Sequence, residues 1–550
     1  MRKFKTVILF IYCFGSIAAQ DPTVGLILNN DLSQEGYSLF CPNKNIYLID
    51  NCGYLVNEWD SEYSPGLSVY LDQEGNIVRA GSKKGTIISA GAGGIIEKIN
   101  WDNELVWQYN YNSDNVRQHH DIELMPNGNI LLLAWEVKTK QEAIASGRDS
   151  LTIASKLYPE HIVEVRPVGT DQGEIVWQWH AWDHLVQDYD KNKENYGLIS
   201  NHPELIDINY GSGFSELGGN QDWMHANSIS YNSDRDEIAI SLRNFSEILI
   251  IDHSTTTQEA AGHTGGYRNK GGDILYRYGN PATYQRGEKA DQVFFNQHDI
   301  SWIPTGYVDG GKMMVYNNGN TRPEGQYSTV DIFQPPIDNN GDYILEEQKP
   351  FGPELLDWSY DGNNLYSSIM SSAQAMLDGN VLICEGASGR FFEVNRQKEI
   401  VWSYQNPVSL TGPVTQGSNN SSTRVFRISR YFDDYAGLAD KDLSASEPIE
   451  LEPLDYLCQI NGGSVATENL LHTDNIILHT NPVQKTLTIS NQLDQSFRLH
   501  LVDLTSRSVY QNNLKEGENQ FPLIVPNGIY ILILQDNTGR VVYSERIVRL

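Results

Sequence analysis

One pattern recurs six times along the 550-residue chain: a short apolar strand, a polar turn, and a second strand that contains a closing aromatic residue. The first copy reads IYLIDNCGYLVNEW at 46–59 and the last reads RFFEVNRQKEIVWSY at 390–404. The closing aromatic residues are Trp59, Trp107, Trp177, Tyr276, Trp358 and Trp402. Inner hairpins with a Gly-Asn turn, such as LMPNGNIL at 124–131, lie between these copies. Two kinds of hairpin therefore alternate along the chain.

An inner and an outer hairpin together make one four-stranded unit. Six such units, with almost no helical periodicity, predict an all-β fold, a six-bladed β-propeller over residues 20–458. The segment TRVFRISRYF at 423–432 follows the sixth copy and is expected to supply a closing strand. A large β-sandwich is the alternative, but it gives no reason for the alternation of hairpin types.

The two ends of the chain depart from this repeat. Residues 1–19 start with basic residues, continue with a short apolar run and end with small residues, which predicts a signal peptide rather than a buried N-terminal helix. After a polar linker at 459–473, residues 474–550 show short alternating strands with Asn-Pro and Asn-Gly turns. This pattern predicts a small C-terminal β-sandwich.

Charge limits the partners of the chain. The formal net charge is −30, which argues against nucleic acid and anionic membrane surfaces. No stretch after the signal reaches the ~20 apolar residues of a membrane-spanning helix. We therefore expect an exported protein with no transmembrane segment.

Cysteine and acidic residues give no metal-ligand spacing, so no metal is predicted. Cys41 and Cys52 flank a short strand, which leaves two expectations: a local disulfide between them, or two thiols. The segment DNNGD at 338–342 reads as a plain hairpin turn in preference to a calcium site.

The inner hairpins carry histidines at matched positions. Eight residues before the turn glycine stand His120, His298, Ser371 and Leu67, and His225 starts the corresponding strand of the fourth unit. Because the innermost strands of a propeller begin at one face around the central channel, the three histidines should meet over one pocket. A lone histidine is usually structural, but three at matched positions favour a functional site.

Hairpin geometry adds an arginine to this set. A turn centred near Asp234 pairs His225 with Arg243, and opposed side chains lie roughly 5 Å apart on one face. Asn227, two residues after His225, should share that face. Asp121 and Asp299 follow their histidines directly and should point away. His119 is expected to bind substrate or to support His120 from behind.

These residues carry a family resemblance. HHDIELMPNGN, DWMHANS followed by SLRNFS, FNQHD and CEGASGRFFEV resemble motifs of the bacterial aryl-sulfate sulfotransferases, a six-bladed propeller family, over about residues 40–435. The resemblance implies transfer of a sulfuryl group from an aryl sulfate to a phenol through a sulfohistidine, without a nucleotide donor or other cofactor. It assigns the nucleophile to His298 and the other active-site positions to His120, His225, Arg243 and Asn227. No phosphate-cradling GxxxxGK[ST] loop is present, in agreement.

The C-terminal segment carries a second resemblance. Its Asn-Pro opening, its GIYILIL strand and its basic end resemble the sorting tail of the Bacteroidota type IX secretion system. This implies a secretion machinery as partner, and release or anchoring at the cell surface. A carbohydrate-binding sandwich is the alternative for this segment.

Two other function classes stay open at this point. A propeller polysaccharide lyase would use histidine and arginine with a catalytic tyrosine in an open groove. A non-catalytic binding propeller would show no turnover of any sulfate ester. The long loops at 138–160 and 183–218 leave the acceptor undefined.

Overall fold

The computed structural model describes residues 21–211, 221–362, 364–418, 423–454, 458, 476–479, 483–493, 495–502, 508–535 and 541–549. The expected signal peptide at 1–19 and linker at 459–473 lie outside these ranges. Residues 22–462 form one compact unit, and the chain from residue 463 onward belongs to a second. Within the described ranges no helix has the length and apolar character required to span a bilayer.

The described part of the first unit contains six antiparallel sheets with four or five strands each. In sheet order, sheets I to III comprise Ile428–Tyr431, Tyr37–Phe40, Asn45–Ile49 and Leu55–Asp60 (I); Ser64–Leu71, Ile77–Ser82, Gly94–Ile99 and Leu105–Asn110 (II); and Val116–Leu124, Ile130–Glu136, Glu160–Val168 and Gln172–His180 (III). Sheets IV to VI comprise Ala226–Asn232, Glu237–Leu242, Glu247–Asp252 and Ile274–Tyr278 (IV); His298–Trp302, Met313–Asn317, Thr329–Phe333 and Trp358–Tyr360 (V); and Ser372–Ala375, Val381–Glu385, Arg390–Val394, Ile400–Gln405 and Gly25–Asn29 (VI).

Each sheet contacts the next one in order, and sheet VI contacts sheet I. The first strands of sheets II to VI pack against one another in sequence, and sheet I contacts both sheet II and sheet VI. Ile428–Tyr431 pairs with Tyr37–Phe40 in sheet I, so the closing strand expected at 423–432 is present. The sequence did not indicate the fifth strand of sheet VI, Gly25–Asn29, which pairs with Ile400–Gln405. Sheets I and VI thus each combine early and late parts of the chain.

The closing aromatic residues link each sheet to the next. Each lies on the fourth strand of its sheet, and five of them donate a hydrogen bond to the following sheet, four to the connection between its third and fourth strands and one to the first residue of its fourth strand. The bonds run from Trp59 to Asn100 O (2.8 Å), Trp107 to Gln172 O (2.8 Å), Trp177 to Thr255 Oγ1 (3.1 Å), Tyr276 to Gly352 O (2.6 Å) and Trp402 to Asn51 O (2.8 Å). The last of these joins sheet VI to sheet I.

Trp358 of sheet V makes a different link. Its buried indole N–H has no hydrogen-bond partner among the described residues. Instead the guanidinium of Arg396, from the same connection in sheet VI, lies 5.5 Å from its ring centroid. We call these six contacts the aromatic latches. The five hydrogen-bonded latches give a physical reason for the repeated aromatic residue, since a buried indole or phenol usually takes a polar partner.

The expectation of a Cys41–Cys52 disulfide is wrong. Cys52 is bonded to Cys458, and Cys41 is a buried thiol. Cys41 follows the strand Tyr37–Phe40, whereas Cys52 lies beyond the far end of its antiparallel neighbour Asn45–Ile49. A five-residue strand is ~16 Å long, which exceeds the Cα separation that a disulfide spans. The DNNGD segment forms the expected turn, in which the Asp338 carboxylate accepts the backbone N–H groups of Asn340 (2.8 Å) and Asp342 (3.0 Å).

Short elements fill the connections of the first unit. The helices Lys140–Ala145 and Thr257–Ala260 each begin with a Thr/Glu capping box. The remaining paired strands are Lys138–Thr139 with Lys156–Leu157, Leu185–Val186 with Ile206–Asp207, and Val408–Ser409 with Gly412–Pro413. The 3-10 helices are Ala181–Asp183, Ile199–Asn201, Pro281–Tyr284, Lys289–Asp291 and Ala436–Leu438.

The second unit contains two antiparallel sheets in its described part. Their strands are Ile476–Leu478, Thr486–Asn491 and Gly517–Pro522 in one, and Ser508–Leu514, Phe497–Val502, Gly528–Gln535 and Val541–Arg549 in the other. Leu487 and Ile489 from the first sheet share one buried apolar cluster with Leu499 and Leu532 from the second. The alternation of apolar residues seen in the sequence is what supplies this cluster.

Candidate active site

An unusual backbone conformation, with a positive φ angle, marks the matched positions of the first strands. His120 and His225 have φ angles of 49° and 52°, and the equivalent Leu67 and Ser371 have 98° and 89°. Residues other than glycine rarely adopt this left-handed region. Register shifts occur at or beside these points in sheets II, III and IV. In sheet V the positive φ of 57° falls on Asp299, one residue after His298.

These irregularities change the direction in which the side chains of the site point. Bulges beside active sites redirect side chains that a regular strand would point elsewhere. Strict alternation along the strands, which the sequence predicts, is interrupted by an irregularity in the first strands of sheets II, III, IV and V. A positive φ thus recurs at the matched position in sheets II, III, IV and VI, while the side chain there varies.

The structure brings His120, His225, His298 and Arg243 together. The rings of His120 and His225 meet edge to face with centroids 4.7 Å apart. Burial lowers the pKa of His120 well below its usual value, and the nearby His225 and Arg243 lower it further. The Arg243 backbone N–H donates to His225 O at 3.1 Å, which is the pairing expected from the turn. The three histidines are 2–4% exposed.

His298 is held in one tautomer by Asn318. The Asn318 amide donates from Nδ2 to Ser367 O (2.7 Å) and Met370 O (3.1 Å), so its Oδ1 faces His298 Nδ1 at 2.7 Å as an acceptor. The proton therefore lies on Nδ1, and Nε2 carries a lone pair. Burial, with the charge of Arg243, lowers the pKa of His298 to about 3. His298 is thus a neutral imidazole at physiological pH.

His225 is paired with a carboxylate. Its Nδ1 lies 2.5 Å from Asp222 Oδ2, which also accepts the hydroxyl of Ser89 at 2.6 Å. Burial opposes ionisation of Asp222, but His225 and Ser89 outweigh it and hold the pKa below its usual value. An ionised Asp222 accepts the Nδ1 proton of His225 and so orients its ring, with Nε2 as the remaining ring nitrogen.

His119 lies behind His120 rather than beside it. Its ring stacks on Trp135 with centroids 3.8 Å apart. Nε2 contacts Glu160 Oε2 at 2.8 Å and Nδ1 contacts His120 Nδ1 at 2.9 Å, so both ring nitrogens have protein partners. Burial raises the pKa of Glu160 and lowers that of His119. Glu160, His119 and His120 form a hydrogen-bonded chain that ends at the site.

Asn227 lies in the bulge of sheet IV. It is fully buried, and its Nδ2 donates to Gln297 O at 2.7 Å. That bond ties the bulge to the residue before His298. One amide hydrogen of Asn227 is used in this way, and a contact to substrate would use the second.

Asp121 and Asp299 bind Arg427. Arg427 Nη2 lies 2.9 Å from Asp121 Oδ2 and 2.6 Å from Asp299 Oδ1. These carboxylates are therefore committed to an ion pair, as expected for side chains that point away from the histidines. A cavity of about 570 Å³ is lined in part by Asp299, Arg427 and Trp302, and no histidine of the site borders it.

Sequence reasoning missed Asp222, Glu160 and Asn318. Asp222 could have been found from its spacing, three residues before His225 in DWMHANS. Asn318 lies two residues beyond Tyr316, the strand partner of His298. The irregular connection between those strands gives no turn centre from which to derive that register. Glu160 reaches the site through the pairing of Glu160 with Trp135 in sheet III, which no local motif signals.

Two protein-family models match the chain. The arylsulfotransferase (ASST) family model matches residues 42–428. A secretion system C-terminal sorting domain matches residues 479–549. No curated protein sequence matches the chain.

Three solved structures illustrate the likeness of this chain to proteins of low sequence identity. A protein of unknown function from Bacteroides caccae is 11% identical, with 67% of this chain and 93% of that chain covered and a TM-score of 0.35. A streptogramin B lyase is 12% identical, with coverage of 71% and 84% and a TM-score of 0.32. A catalytically inactive virginiamycin B lyase from Staphylococcus aureus is 11% identical, with coverage of 68% and 86% and a TM-score of 0.29. These scores are too low to carry an argument.

Proposed function

The chain belongs to the arylsulfotransferase family, and we propose that it transfers a sulfuryl group from an aryl sulfate to a phenolic acceptor without a nucleotide donor. We further propose that sheets I to VI are the six blades of a β-propeller and that the two C-terminal sheets form a β-sandwich. This activity rests mainly on His298. Its neutral imidazole carries a lone pair on Nε2, and it belongs to a cluster with Arg243 and two further histidines.

The first half-reaction forms a covalent intermediate on His298. Nε2 attacks the donor sulfur, the N–S bond forms, and the S–O bond to the aryl group breaks with its electron pair leaving on the phenolate oxygen. Splitting one difficult displacement into two easier ones is the general advantage of a covalent intermediate. Asn318 keeps the attacking lone pair on Nε2 throughout.

Arg243 supports the transition state electrostatically. The sulfuryl oxygens carry negative charge during transfer, and fixed donors in a buried site stabilise such charge more than water does. Arg243 and the second amide hydrogen of Asn227 are the donors that we assign to these oxygens. Because the donors are already in place, no reorganisation is needed at the moment of reaction.

His225 is the general acid and base of the proposal. Asp222 orients His225 through Nδ1, and we assign Nε2 of His225 to give a proton to the departing phenolate. In the second half-reaction His225 takes the proton of the acceptor phenol while the phenol oxygen attacks sulfur and releases His298. Burial disfavours the charged form of His120, so we assign His120 and its chain through His119 to positioning.

The family match favours this function over the two alternatives. A lyase or a purely binding propeller would not account for a match to arylsulfotransferases that covers most of the first unit. The sorting domain shows that the protein is exported to the cell surface or beyond, with the secretion machinery as partner. We propose that a cleaved signal at residues 1–19 starts this route.

Mass spectrometry tests the intermediate directly. Purified protein is incubated with a chromogenic aryl sulfate, with and without a phenol. Without acceptor, we expect the protein to gain the mass of one SO₃ group on the peptide that contains FNQHD, and to lose it when phenol is added. Release of phenolate at the same rate in the His298→Ala variant would contradict the proposal and favour direct transfer between bound donor and acceptor.

A further inference from the structure

Three possible metal ligands meet where sheet III approaches a connection of sheet IV, outside the site described above. His184 follows the last strand of sheet III, and His263 and Asp273 lie in the connection between the third and fourth strands of sheet IV. Each offers one ligand atom, and the three atoms lie within 4.8 Å of one another. The cluster thus spans two neighbouring sheets.

Hydrogen bonding fixes the orientation of His184. Its Nε2 lies 2.8 Å from Ala260 O, and a carbonyl oxygen can only accept. A neutral imidazole has one N–H, so Nδ1 then presents a lone pair to Asp273 Oδ1 at 2.8 Å. His263 Nδ1 lies 2.8 Å from the same oxygen. Two lone pairs at this distance require a positive charge between them, either a proton or a metal ion.

The surroundings of His184 match those of a metal ligand. A histidine that binds a metal usually donates its other N–H to a carbonyl or carboxylate, which fixes the ring. The ring of Trp179 stacks on His184 within 5° of parallel, and the Trp179 indole donates to Gly272 O at 2.7 Å. A Cβ at Gly272 would come within 2.6 Å of His184 Nε2. His184 is therefore buried and rigid.

His263 gives the cluster an open side. Its side chain is 62% exposed, whereas that of His184 is fully buried. Two imidazoles and one carboxylate, with a fourth position open to water, are a donor set that Zn²⁺ accepts in tetrahedral geometry. Calcium and magnesium prefer oxygen ligands alone. Tetrahedral zinc needs ligand atoms about 3.3 Å apart. Asp273 Oδ1 lies 2.8 Å from both ring nitrogens, so the Asp273 carboxylate and the exposed His263 would each shift slightly on binding.

We propose that His184, His263 and Asp273 bind one zinc ion that ties sheet III to the long connection of sheet IV. The ion would act alongside the Trp177 latch, which joins the same two sheets through Thr255. The proposed role is structural, and it does not depend on sulfuryl transfer at His298.

Zinc titration of the untagged full-length protein tests this. Protein is stripped with a chelator and titrated with Zn²⁺ against a chromogenic competitor, and bound metal is measured after gel filtration. His263→Ala is the main variant, since its exposed side chain contributes little to folding. His202→Ala is the control, because His202 is also surface-accessible and contacts a carboxylate, Glu204 Oε1, at 2.9 Å.

We expect one zinc per wild-type chain and per His202→Ala chain, with a thermal midpoint that rises on adding zinc. His263→Ala should bind zinc at least about tenfold more weakly and lose the thermal shift. Asp273→Asn, which keeps the side-chain size, should do the same. Equal zinc binding by wild type and His263→Ala, or none by either, would overturn the proposal and leave a hydrogen-bonded His184–Asp273 pair. Metal content is read independently of turnover, so loss of sulfotransferase activity is a separate result.

Discussion

The first strands and the fourth strands of the six sheets follow opposite rules. At the matched positions of the first strands in sheets II, III, IV and VI a positive φ recurs while the side chain changes, as at Leu67, His120, His225 and Ser371. On the fourth strands the side chain repeats, because all six positions are aromatic. Within a repeated fold, a constant residue type thus marks structure, and a constant backbone with a varying residue marks the place where function is added.

The largest expected effect comes from the proposed nucleophile. His298→Ala should abolish the covalent label and reduce kcat by at least about 10⁴-fold, as for loss of other catalytic nucleophiles. Leu67→Ala, at an equivalent position on sheet II, is the control and should stay within a few-fold of wild type. Stopped-flow release of a chromogenic phenolate measures both. A large loss in Leu67→Ala would mean that the position is structural in every sheet.

Arg243→Ala is expected to rank second. Loss of a fixed donor to the sulfuryl oxygens should cost about 3–4 kcal/mol of transition-state stabilisation, or about 10²–10³ in rate. Because this charge develops whatever the leaving group, the loss should be uniform across aryl sulfates of different phenol pKa. A loss confined to poorly leaving phenols would instead assign Arg243 to leaving-group assistance.

Asp222→Asn should give a smaller and selective effect. The amide keeps the size of the carboxylate but carries no charge to pair with His225, so the general acid help that we assign to His225, worth about 10², should be lost. Donors with acidic phenols need little protonation and should react almost normally. The slope of log kcat/KM against phenol pKa should therefore become steeper than in wild type. An unchanged slope would remove His225 from the role of acid.

The latches should affect stability without affecting chemistry. Tyr276→Phe removes only the hydroxyl that donates to Gly352 O, and should lower the free energy of unfolding by about 1 kcal/mol. Tyr278→Phe is the matched control, since Tyr278 is buried on the same strand and its hydroxyl has no bond to the next sheet in the described part of the chain. Urea denaturation followed by tryptophan fluorescence measures both, with kcat expected to stay at the wild-type value. Equal destabilisation by the two variants would show that the latch bond itself contributes nothing.

Repeated residue types were predictable from the sequence, whereas the recurring bulges and the single contacts made through strand pairing were not. Aromatic residues and turn signals at regular places predicted the strands, the closing segment and the meeting of His120, His225 and His298. Asn318 and Glu160 were not predicted, because each reaches the site through the pairing of two strands. The length of the connection between those strands does not define their register. The bulges escaped because a positive φ at a histidine has no composition signal. Cys458 was out of reach, since its partner lies 406 residues away.

The Cys52–Cys458 bond has a mechanical consequence for an exported chain. Cys458 stands four residues before the end of the first unit at residue 462, and its partner Cys52 lies in the connection between the last two strands of sheet I. Traction on the C-terminal region would enter the first unit at Cys52 through the covalent bond. The closing strand Ile428–Tyr431, held to its neighbour by backbone hydrogen bonds, would carry none of that load. The seam between sheets VI and I is thereby protected from being unzipped from its C-terminal end.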